Sequence, residues 1–235
     1  MGHSILRKVP IFSKMKLLFS HLLLLTLLNT HTAFSQARIN ITLKRQLDSV
    51  MILDQQYRGI LTEMSDPLKR DSISRALSIP QKELESRIWK LQSEIDSSNL
   101  IFIEHVFRQY GYPGKSLVGS PSNESAWYVI QHSDKIEKYI DLIYEAGQKK
   151  ELPFRLVAMM EDRYLVNQGK EQVYGTQVTC RLLKNGKNEC FVWPIKDAEK
   201  VNERRKKAGF DQTVEQNAKR LGVIYRVVKL SEVKL

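Results

Sequence analysis

The stretch from Ala158 to Gln177 constrains the fold most, because it places a carboxylate on the apolar face of a predicted helix that leads into a strand. At helical spacing the neighbours of Asp162 at the i±3 and i±4 positions are all apolar: Ala158, Met159, Leu165 and Val166. A carboxylate on such a face becomes buried, and a buried charge is costly unless it is paired or neutralised. Asp162 therefore predicts a partner from elsewhere in the chain and a polar pocket at this junction.

The first 37 residues have the pattern of a secretory signal peptide. Basic residues precede the apolar run LLFSHLLLLTLLNTHTAFS and small residues lie at its end, so we expect cleavage after Ser35 or Ala37, with translation starting at Met1 or Met15. The alternative is an uncleaved anchor, but the run barely reaches the ~18 apolar residues of a membrane span. No cysteine follows the run, which excludes a lipid-modified cysteine anchor. We predict an exported protein, periplasmic or secreted, with no integral membrane span after cleavage.

Charge and histidine content restrict the partners of the exported chain. Residues 1–35 hold four of the 37 basic residues and no acidic residue, which leaves 33 basic against 26 acidic residues, a net charge of +7. The densest basic cluster, Arg204–Lys207, can bind an anionic surface, although a solvated helix face more often explains such a cluster. We expect no nucleic-acid partner, because the chain has no recognisable binding motif. His105, His132 and two cysteines remain without CxxC or HExxH spacing, so we expect neither a metal site nor a cofactor.

The two cysteines lie in a predicted β-hairpin from Val173 to Ile195, which turns through a three-residue Lys-Asn-Gly loop. This register places Arg181 opposite Glu189 and Cys180 opposite Cys190, and the charge match favours it over a two-residue Asn-Gly loop. A directly opposed pair has Cα atoms about 4.5 Å apart, at the short end of disulfide geometry. We expect a structural disulfide there, with two free thiols as the alternative. The later run VIYRVVKL alternates with β-branched residues and could add a strand.

Apolar residues at helical spacing predict about seven or eight helices, so the expected fold class is mainly α (α+β) with this single antiparallel hairpin. Residues 38–235 form one expected globular domain, with a helical N-terminal half at 40–150 and a motif-bearing half at 151–235. No linker is long enough to indicate a second domain.

Helix boundaries in the N-terminal half follow from capping residues and polar runs. The pattern predicts a helix from Ile41 to Met64, an exposed connection over residues 66–77, and a further helix that Ser78 caps. The polar run Asp96–Asn99 is expected to separate this helix from a very apolar one at Leu100–Tyr110.

Five sequence motifs stand out along the chain after the predicted signal peptide: DQQYR at 54–58, NLIFIEHVFRQYGYPGKSLVG at 99–119, IQHSD at 130–134, EDRYLVNQGKEQVYGTQ at 161–177, and WPI with AEKVNERRKKAGF within 193–210. Together they resemble a bacterial domain-of-unknown-function family, domain of unknown function 6624. The resemblance covers nearly all of the chain after the signal peptide, and it implies an exported protein without implying any activity. The Cys180–Cys190 pair is not part of the family pattern, so the disulfide depends on local geometry alone.

Polar residues of these motifs form the predicted functional site. As an enzyme, the chain would use His132, oriented by Asp162, as the catalytic general base. An arginine would hold an anionic group of the substrate in a bidentate way. No nucleophile elbow, redox cysteine pair or catalytic carboxylate pair is present to define a reaction. The predicted ligand-binding residues are Gln131, Arg163, Gln172, Tyr174, Thr176, Gln177, Asn202, Arg204 and Arg205.

Three interpretations of this polar cluster remain open. We expect first a binding site for a small polar or anionic ligand, because ligand binding explains the four amides of the cluster as well as it explains His132. The alternative is a hydrolase-like enzyme with His132 and Asp162 as a general-base pair. The third is a buried polar network that fixes packing and binds no ligand. In all three, Gly175 leaves room for another backbone or a ligand to approach closely.

Overall fold

The computed structural model describes residues 39–234, and the predicted signal peptide at 1–37 lies outside them. Within the described residues the chain is mainly α-helical with one two-stranded antiparallel sheet, which confirms the predicted fold class. The helices are α1 (Ile41–Glu63), α2 (Pro67–Leu77), α3 (Gln81–Tyr110), α4 (Lys115–Val118), α5 (Ser125–Gln131), α6 (Ile136–Gln148), α7 (Phe154–Asn167), α8 (Val201–Lys207) and α9 (Val214–Arg220), and the strands are β1 (Val178–Leu182) and β2 (Asn188–Val192).

Helix α3 runs without interruption through the polar run that was expected to end it. Asp96 accepts two hydrogen bonds from Arg58 of α1, at 2.9 and 2.8 Å, and the buried Asn99 donates to the carbonyl oxygen of Val50 at 3.5 Å. These polar side chains therefore bind the neighbouring helix and do not compete with the backbone of their own helix. The predicted break at residues 96–99 is wrong for this reason.

Helix α2 occupies the segment that was expected to be an exposed connection. The side chain of Asp66 accepts a hydrogen bond from the backbone N–H of Leu68 at 2.9 Å, and Pro67 occupies the first helical position, a combination that favours helix initiation. No residue of α2 is buried. A helix without a buried face needs no apolar periodicity, and for this reason the sequence pattern did not predict it. Ser78 ends this helix in the left-handed conformation and does not cap the next one, which begins at Gln81.

The main hydrophobic core lies where α1, α3, α5, α6 and α7 pack together. Fully buried members from all five helices meet in one cluster. The indole N–H of Trp127 in α5 donates to the carbonyl oxygen of Leu156 in α7 at 2.8 Å, which fixes the two helices against each other. The core holds α5 and α7 in place, the two helices that carry His132 at the end of one and Asp162 within the other. Its fully buried side chains include Leu47, Ile103, Trp127, Ile130, Ile143 and Val157.

The hairpin has the predicted register, with Cys180 opposite Cys190 and Arg181 opposite Glu189, and the two cysteines form a disulfide. Its first strand begins at Val178. The prediction that residues 173–177 belong to the strand is therefore wrong. Glu189 binds the guanidinium of Arg226 at 2.7 Å, whereas Arg181 lies over the ring of Trp193.

The C-terminal tail, residues 221–234, forms no regular strand, and the strand predicted there is wrong. A single bridge joins Val233 to Leu183, and Val228 and Val233 pack against Phe191 and Trp193 of the hairpin side. Side-chain packing therefore holds the tail where its alternating pattern predicted a backbone ladder. No helix within residues 39–234 is long and apolar enough to span a membrane.

The continuity of α3 predicts that Ser98→Pro lowers the free energy of unfolding by about 3 kcal/mol, because proline removes a hydrogen bond and clashes with the preceding turn inside a helix. Ser98 is exposed and its hydroxyl bonds only to the carbonyl oxygen of Glu94. Ser98→Ala is therefore the matched control and should remain within about 0.5 kcal/mol of the wild type. Urea unfolding measures both variants, and a Ser98→Pro protein as stable as the control would contradict a continuous helix.

Candidate functional site

Asp162 of α7 is fully buried, and its partner is the backbone of a loop farther along the chain. One carboxylate oxygen accepts the N–H groups of Val173 and Tyr174, at 2.7 and 2.9 Å. The other accepts the N–H and the hydroxyl of Thr176, both at 2.9 Å. Burial raises the pKa of Asp162, and the hydrogen bonds from Tyr174, Thr176 and Val173 lower it. We name residues 172–177 the carboxylate loop.

Gln172 closes the two ends of the carboxylate loop with its buried side chain. Its amide oxygen accepts the N–H of Gln177 at 2.9 Å, and its amide nitrogen donates to the carbonyl oxygens of Gln177 and Trp193, at 3.0 and 2.7 Å. Gln177 in turn donates its side-chain amide to the hydroxyl of Thr176 at 3.0 Å. The N–H groups of the loop donate to the side chains of Asp162 and Gln172. They are therefore not available to pair with a neighbouring strand, and residues 173–177 do not form one.

Side chains of α8 and α9 bind the carbonyl oxygens of the same loop. Arg204 donates to the carbonyl oxygen of Val173 at 3.0 Å, and Arg205 donates to that of Tyr174 at 2.9 Å. Asn217 donates to the carbonyl oxygen of Gly175 at 3.2 Å. The loop therefore lies between a buried carboxylate, which binds its donors, and two arginines, one of them fully buried, which bind its acceptors.

Arg205 is a buried cation whose charge is compensated by the loop and by Asp162. Its guanidinium also donates to the carbonyl oxygen of Gln212 at 2.8 Å and lies over the ring of Phe210. Burial lowers the pKa of Arg205, and the negative charge of Asp162 raises it. Asn202 joins the same region by accepting the first N–H of α9, from Val214, at 2.8 Å.

Gly175 allows the close packing that this loop requires, as its sequence predicted. It adopts a positive φ of 68°, and a Cβ atom there would lie 2.6 Å from Val214 and 2.8 Å from Ile195. The neighbours are side chains of this chain, so the space that glycine leaves is filled by the core. The tightness of this contact indicates a packed junction and not an open cleft.

His132 does not contact Asp162, so the prediction that Asp162 orients His132 as a general base is wrong. The ring nitrogen Nδ1 of His132 lies 3.2 Å from the carboxylate of Asp54 in α1. Nε2 lies 3.2 Å from the side-chain amide of Gln131. The side chain of Asp54 is 1% exposed and that of His132 is 19% exposed, so a buried carboxylate stands behind a ring that reaches the surface.

Further polar groups of α1 and α3 surround the Asp54–His132 pair. Gln55 donates to Asp54 at 2.6 Å, and Arg58 donates to the carbonyl oxygen of Asp54 at 2.8 Å while it binds Asp96 through two nitrogens. Gln92 donates to Asp96 at 2.7 Å, and its buried amide oxygen has no hydrogen-bond partner within the described residues. The structure thus divides the predicted cluster into two separate arrangements, one around Asp162 and one around His132.

Asp54 is the residue that sequence reasoning missed, although the signal was present. It follows Leu47 and Val50 at helical spacing on the buried face of α1. A carboxylate at that position requires a partner by the same argument that applies to Asp162. The argument predicts burial from local spacing, but only the tertiary fold identifies His132 as the partner.

Glu161, next to Asp162 on α7, interacts with Tyr144 of α6 and with Tyr174 of the carboxylate loop. Burial raises the pKa of Glu161, a hydrogen bond with Tyr144 lowers it, and the charge of Asp162 raises it further. Burial and the charges of Glu161 and Asp162 raise the pKa of Tyr174 to about 12, against an opposing effect of Arg204.

Arg163, the remaining predicted binding residue, lies on α7, apart from the contacts described above. Burial lowers the pKa of Arg163, whose guanidinium forms no ion pair or hydrogen bond with the residues that the structure describes. A cleft of about 390 Å³ lies between Tyr110, Leu117 and Leu142, and no predicted site residue lines it.

Comparison with known families gives a match over residues 53–227, to a family described as a family of unknown function (DUF6624). Neither the curated proteins nor the solved structures gave a match. The matched range contains Asp54, His132, Asp162 and the carboxylate loop, so both polar arrangements lie within the family domain.

The packing around the carboxylate loop predicts that Gly175→Ala lowers the free energy of unfolding by about 2–4 kcal/mol, because the new methyl group overpacks the core at a left-handed position. Gly209→Ala is the matched control, since Gly209 also has a positive φ but nothing lies within 4 Å of its Cβ position. The control should cost about 1–2 kcal/mol, from backbone strain alone. Urea unfolding compares the two, and equal costs would contradict a closed junction.

Proposed function

The chain belongs to the DUF6624 family of unknown function, and we propose that it binds a small polar ligand over His132 and exchanges a proton with it. In this proposal Asp54 takes the orienting role that the sequence assigned to Asp162. The ligand lies at the surface between the end of α5 and the middle of α1, with Gln131 beside it. The reaction class is hydrolase-like, with water or a ligand hydroxyl as the group that loses the proton.

The contact between Asp54 and His132 carries the proposal. A carboxylate that accepts the Nδ1 proton leaves Nε2 as the basic nitrogen and stabilises the imidazolium that forms when Nε2 takes up a proton. A general base must also be accessible to the group from which it takes the proton. The partial exposure of His132 over a buried Asp54 supports both requirements.

Gln131 supports the same tautomer from the other side of the ring. Its side-chain amide nitrogen lies 3.2 Å from Nε2 of His132, a position from which an amide N–H donates to an unprotonated ring nitrogen. A ligand hydroxyl or water could take the place of this amide as the group bonded to Nε2. We therefore keep Gln131 as a ligand-binding residue.

The other predicted binding residues divide between a structural role and an anion-binding role. Gln172, Arg204 and Arg205 already bind backbone groups of the carboxylate loop, which favours the interpretation of that network as a device that fixes packing. Arg163 has no such partner among the described residues. We propose Arg163 as the residue that binds an anionic group, because an unpaired half-buried guanidinium gains most from a carboxylate or phosphate.

We further propose that the protein acts after export, as one globular domain over residues 38–235. Two features support export: the signal-peptide pattern of residues 1–37, and the Cys180–Cys190 disulfide, which persists in oxidising compartments.

A thermal-shift screen at neutral pH against sugars, amino acids, short peptides and phosphorylated metabolites tests the proposal, because specific binding raises the melting temperature by mass action. For each compound that stabilises the protein, turnover is followed by NMR. We expect His132→Gln to lower turnover by about 100-fold or more, since glutamine can still donate to Asp54 but cannot accept a proton. Asp54→Asn should have a comparable effect, through loss of the imidazolium's counter-charge.

His105→Ala is the control, because His105 is the other histidine of the described residues and is exposed on α3. It should leave binding and turnover unchanged. If His132→Gln and Asp54→Asn bind and convert every stabilising compound as the wild type does, the proposed site is wrong.

A further inference from the structure

Basic charge is concentrated in the C-terminal part of the described chain. Residues 39–169 contain 17 basic and 18 acidic residues, whereas residues 170–234 contain 15 basic and 8 acidic residues. All of these 15 except Arg204 and Arg205 are exposed. Among the ion pairs formed within residues 39–234, only the pair of Arg226 with Glu189 involves one of the 15. This part of the protein is therefore a cationic surface that its own carboxylates do not neutralise.

Contacts between the hairpin and the tail bring six of these basic residues to one region. The N–H of Lys184 donates to the carbonyl oxygen of Glu232 at 2.8 Å, and that of Lys234 donates to the carbonyl oxygen of Leu182 at 3.2 Å. Arg226 reaches Glu189 on the second strand. We name this region the basic patch, and its basic members are Arg181, Lys184, Lys187, Arg226, Lys229 and Lys234.

The basic patch also carries exposed aliphatic side chains. Ile224 is 91% exposed and Val227 is 59% exposed, on either side of Arg226 in the tail. The neighbouring Val228 is buried against the hairpin, so packing fixes this part of the tail with the other two side chains directed outward. A single exposed aliphatic residue is ordinary in a globular protein. Two of them among basic residues, of which only Arg226 forms an ion pair within residues 39–234, have the composition of a segment that binds at a membrane interface.

We propose that the basic patch docks the protein on an anionic lipid bilayer. Ile224 and Val227 enter the headgroup region, where their apolar surface leaves water. Arg226, Lys229 and the lysines of the hairpin turn bind the lipid phosphates, to which a negatively charged bilayer surface attracts them. This is peripheral binding and involves no spanning helix.

The side chains of the patch favour a bilayer over two other anionic or apolar partners. A single-stranded nucleic acid is bound by basic residues together with aromatic rings on which bases stack, whereas the exposed apolar residues of the patch are aliphatic. A second copy of the chain would bring two patches of the same sign into contact, which is repulsive. A bilayer with anionic headgroups provides both the negative charge and the apolar layer beneath it.

Co-sedimentation with lipid vesicles tests the proposal, with the full chain and its variants added to phosphatidylcholine vesicles with and without phosphatidylglycerol. We expect the wild type to prefer the anionic vesicles. Arg226→Gln with Lys229→Gln should lower the partition coefficient by about 30-fold, since each basic residue near an anionic surface contributes about a factor of five. Ile224→Ser with Val227→Ser should lower it by about tenfold or more.

Matched controls come from α3, outside the patch. Ile101→Ser replaces an aliphatic side chain that is 70% exposed, and Lys82→Gln with Lys90→Gln removes two exposed lysines. Both should partition as the wild type does. Residues 1–37 are the same in the wild type and in every variant, so any contribution they make to vesicle binding cancels in the comparison. Thermal unfolding of each variant confirms that the variant is folded.

Three results would overturn the proposal. In the first, the wild type shows no preference for anionic vesicles, and in the second, the α3 controls lose as much binding as the patch variants. In the third, Ile224→Ser with Val227→Ser would bind anionic vesicles as tightly as the wild type, and all proteins would bind soluble polyphosphate equally well. That result would assign the patch to a soluble polyanion. None of these results bears on the proposed role of His132, which lies in a different part of the chain.

Discussion

A single buried carboxylate determines how α7 is joined to the hairpin and to the helices α8 and α9. Asp162 accepts three backbone N–H groups and one hydroxyl from the carboxylate loop, and Arg204 and Arg205 bind carbonyl oxygens of the same loop from the opposite side. The peptide groups of the loop lie between charges of opposite sign, and each end of their dipoles faces the charge that stabilises it. The helix α7, the hairpin and the helices α8 and α9 are thereby held in one arrangement without any regular sheet between them.

The protein contains two carboxylates that are buried by the same sequence pattern, and their partners differ in a way that bears on function. Both carboxylate oxygens of Asp162 accept hydrogen bonds from the carboxylate loop, which leaves neither oxygen free to accept one from a ligand. Asp54 binds an imidazole whose other nitrogen lies beside an amide at the surface. Burial of a carboxylate is therefore evidence for a polar partner, and the exposure of that partner distinguishes a structural contact from a candidate site.

Local patterns predicted the features that depend on neighbouring residues. The register of the hairpin followed from its Lys-Asn-Gly turn and the charge match of Arg181 with Glu189, and the burial of Asp162 followed from helical spacing. The features that sequence reasoning missed depend on distant contacts. Residues 96–99 continue a helix because α1 binds Asp96 and Asn99, and residues 173–177 leave the strand because Asp162 and Gln172 take their N–H groups. A polar side chain requires a partner, but its position in the sequence does not identify which one.

Hydrogen exchange of individual backbone amides tests the central role of Asp162 most directly. In the wild type we expect slow exchange at Val173, Tyr174 and Thr176, because a buried carboxylate accepts these N–H groups. In Asp162→Ala the same three amides should exchange about 100-fold faster, while the amides that pair β1 with β2 keep their protection. Unchanged protection of the three amides in Asp162→Ala would show that the loop is held by other contacts, and would contradict the account.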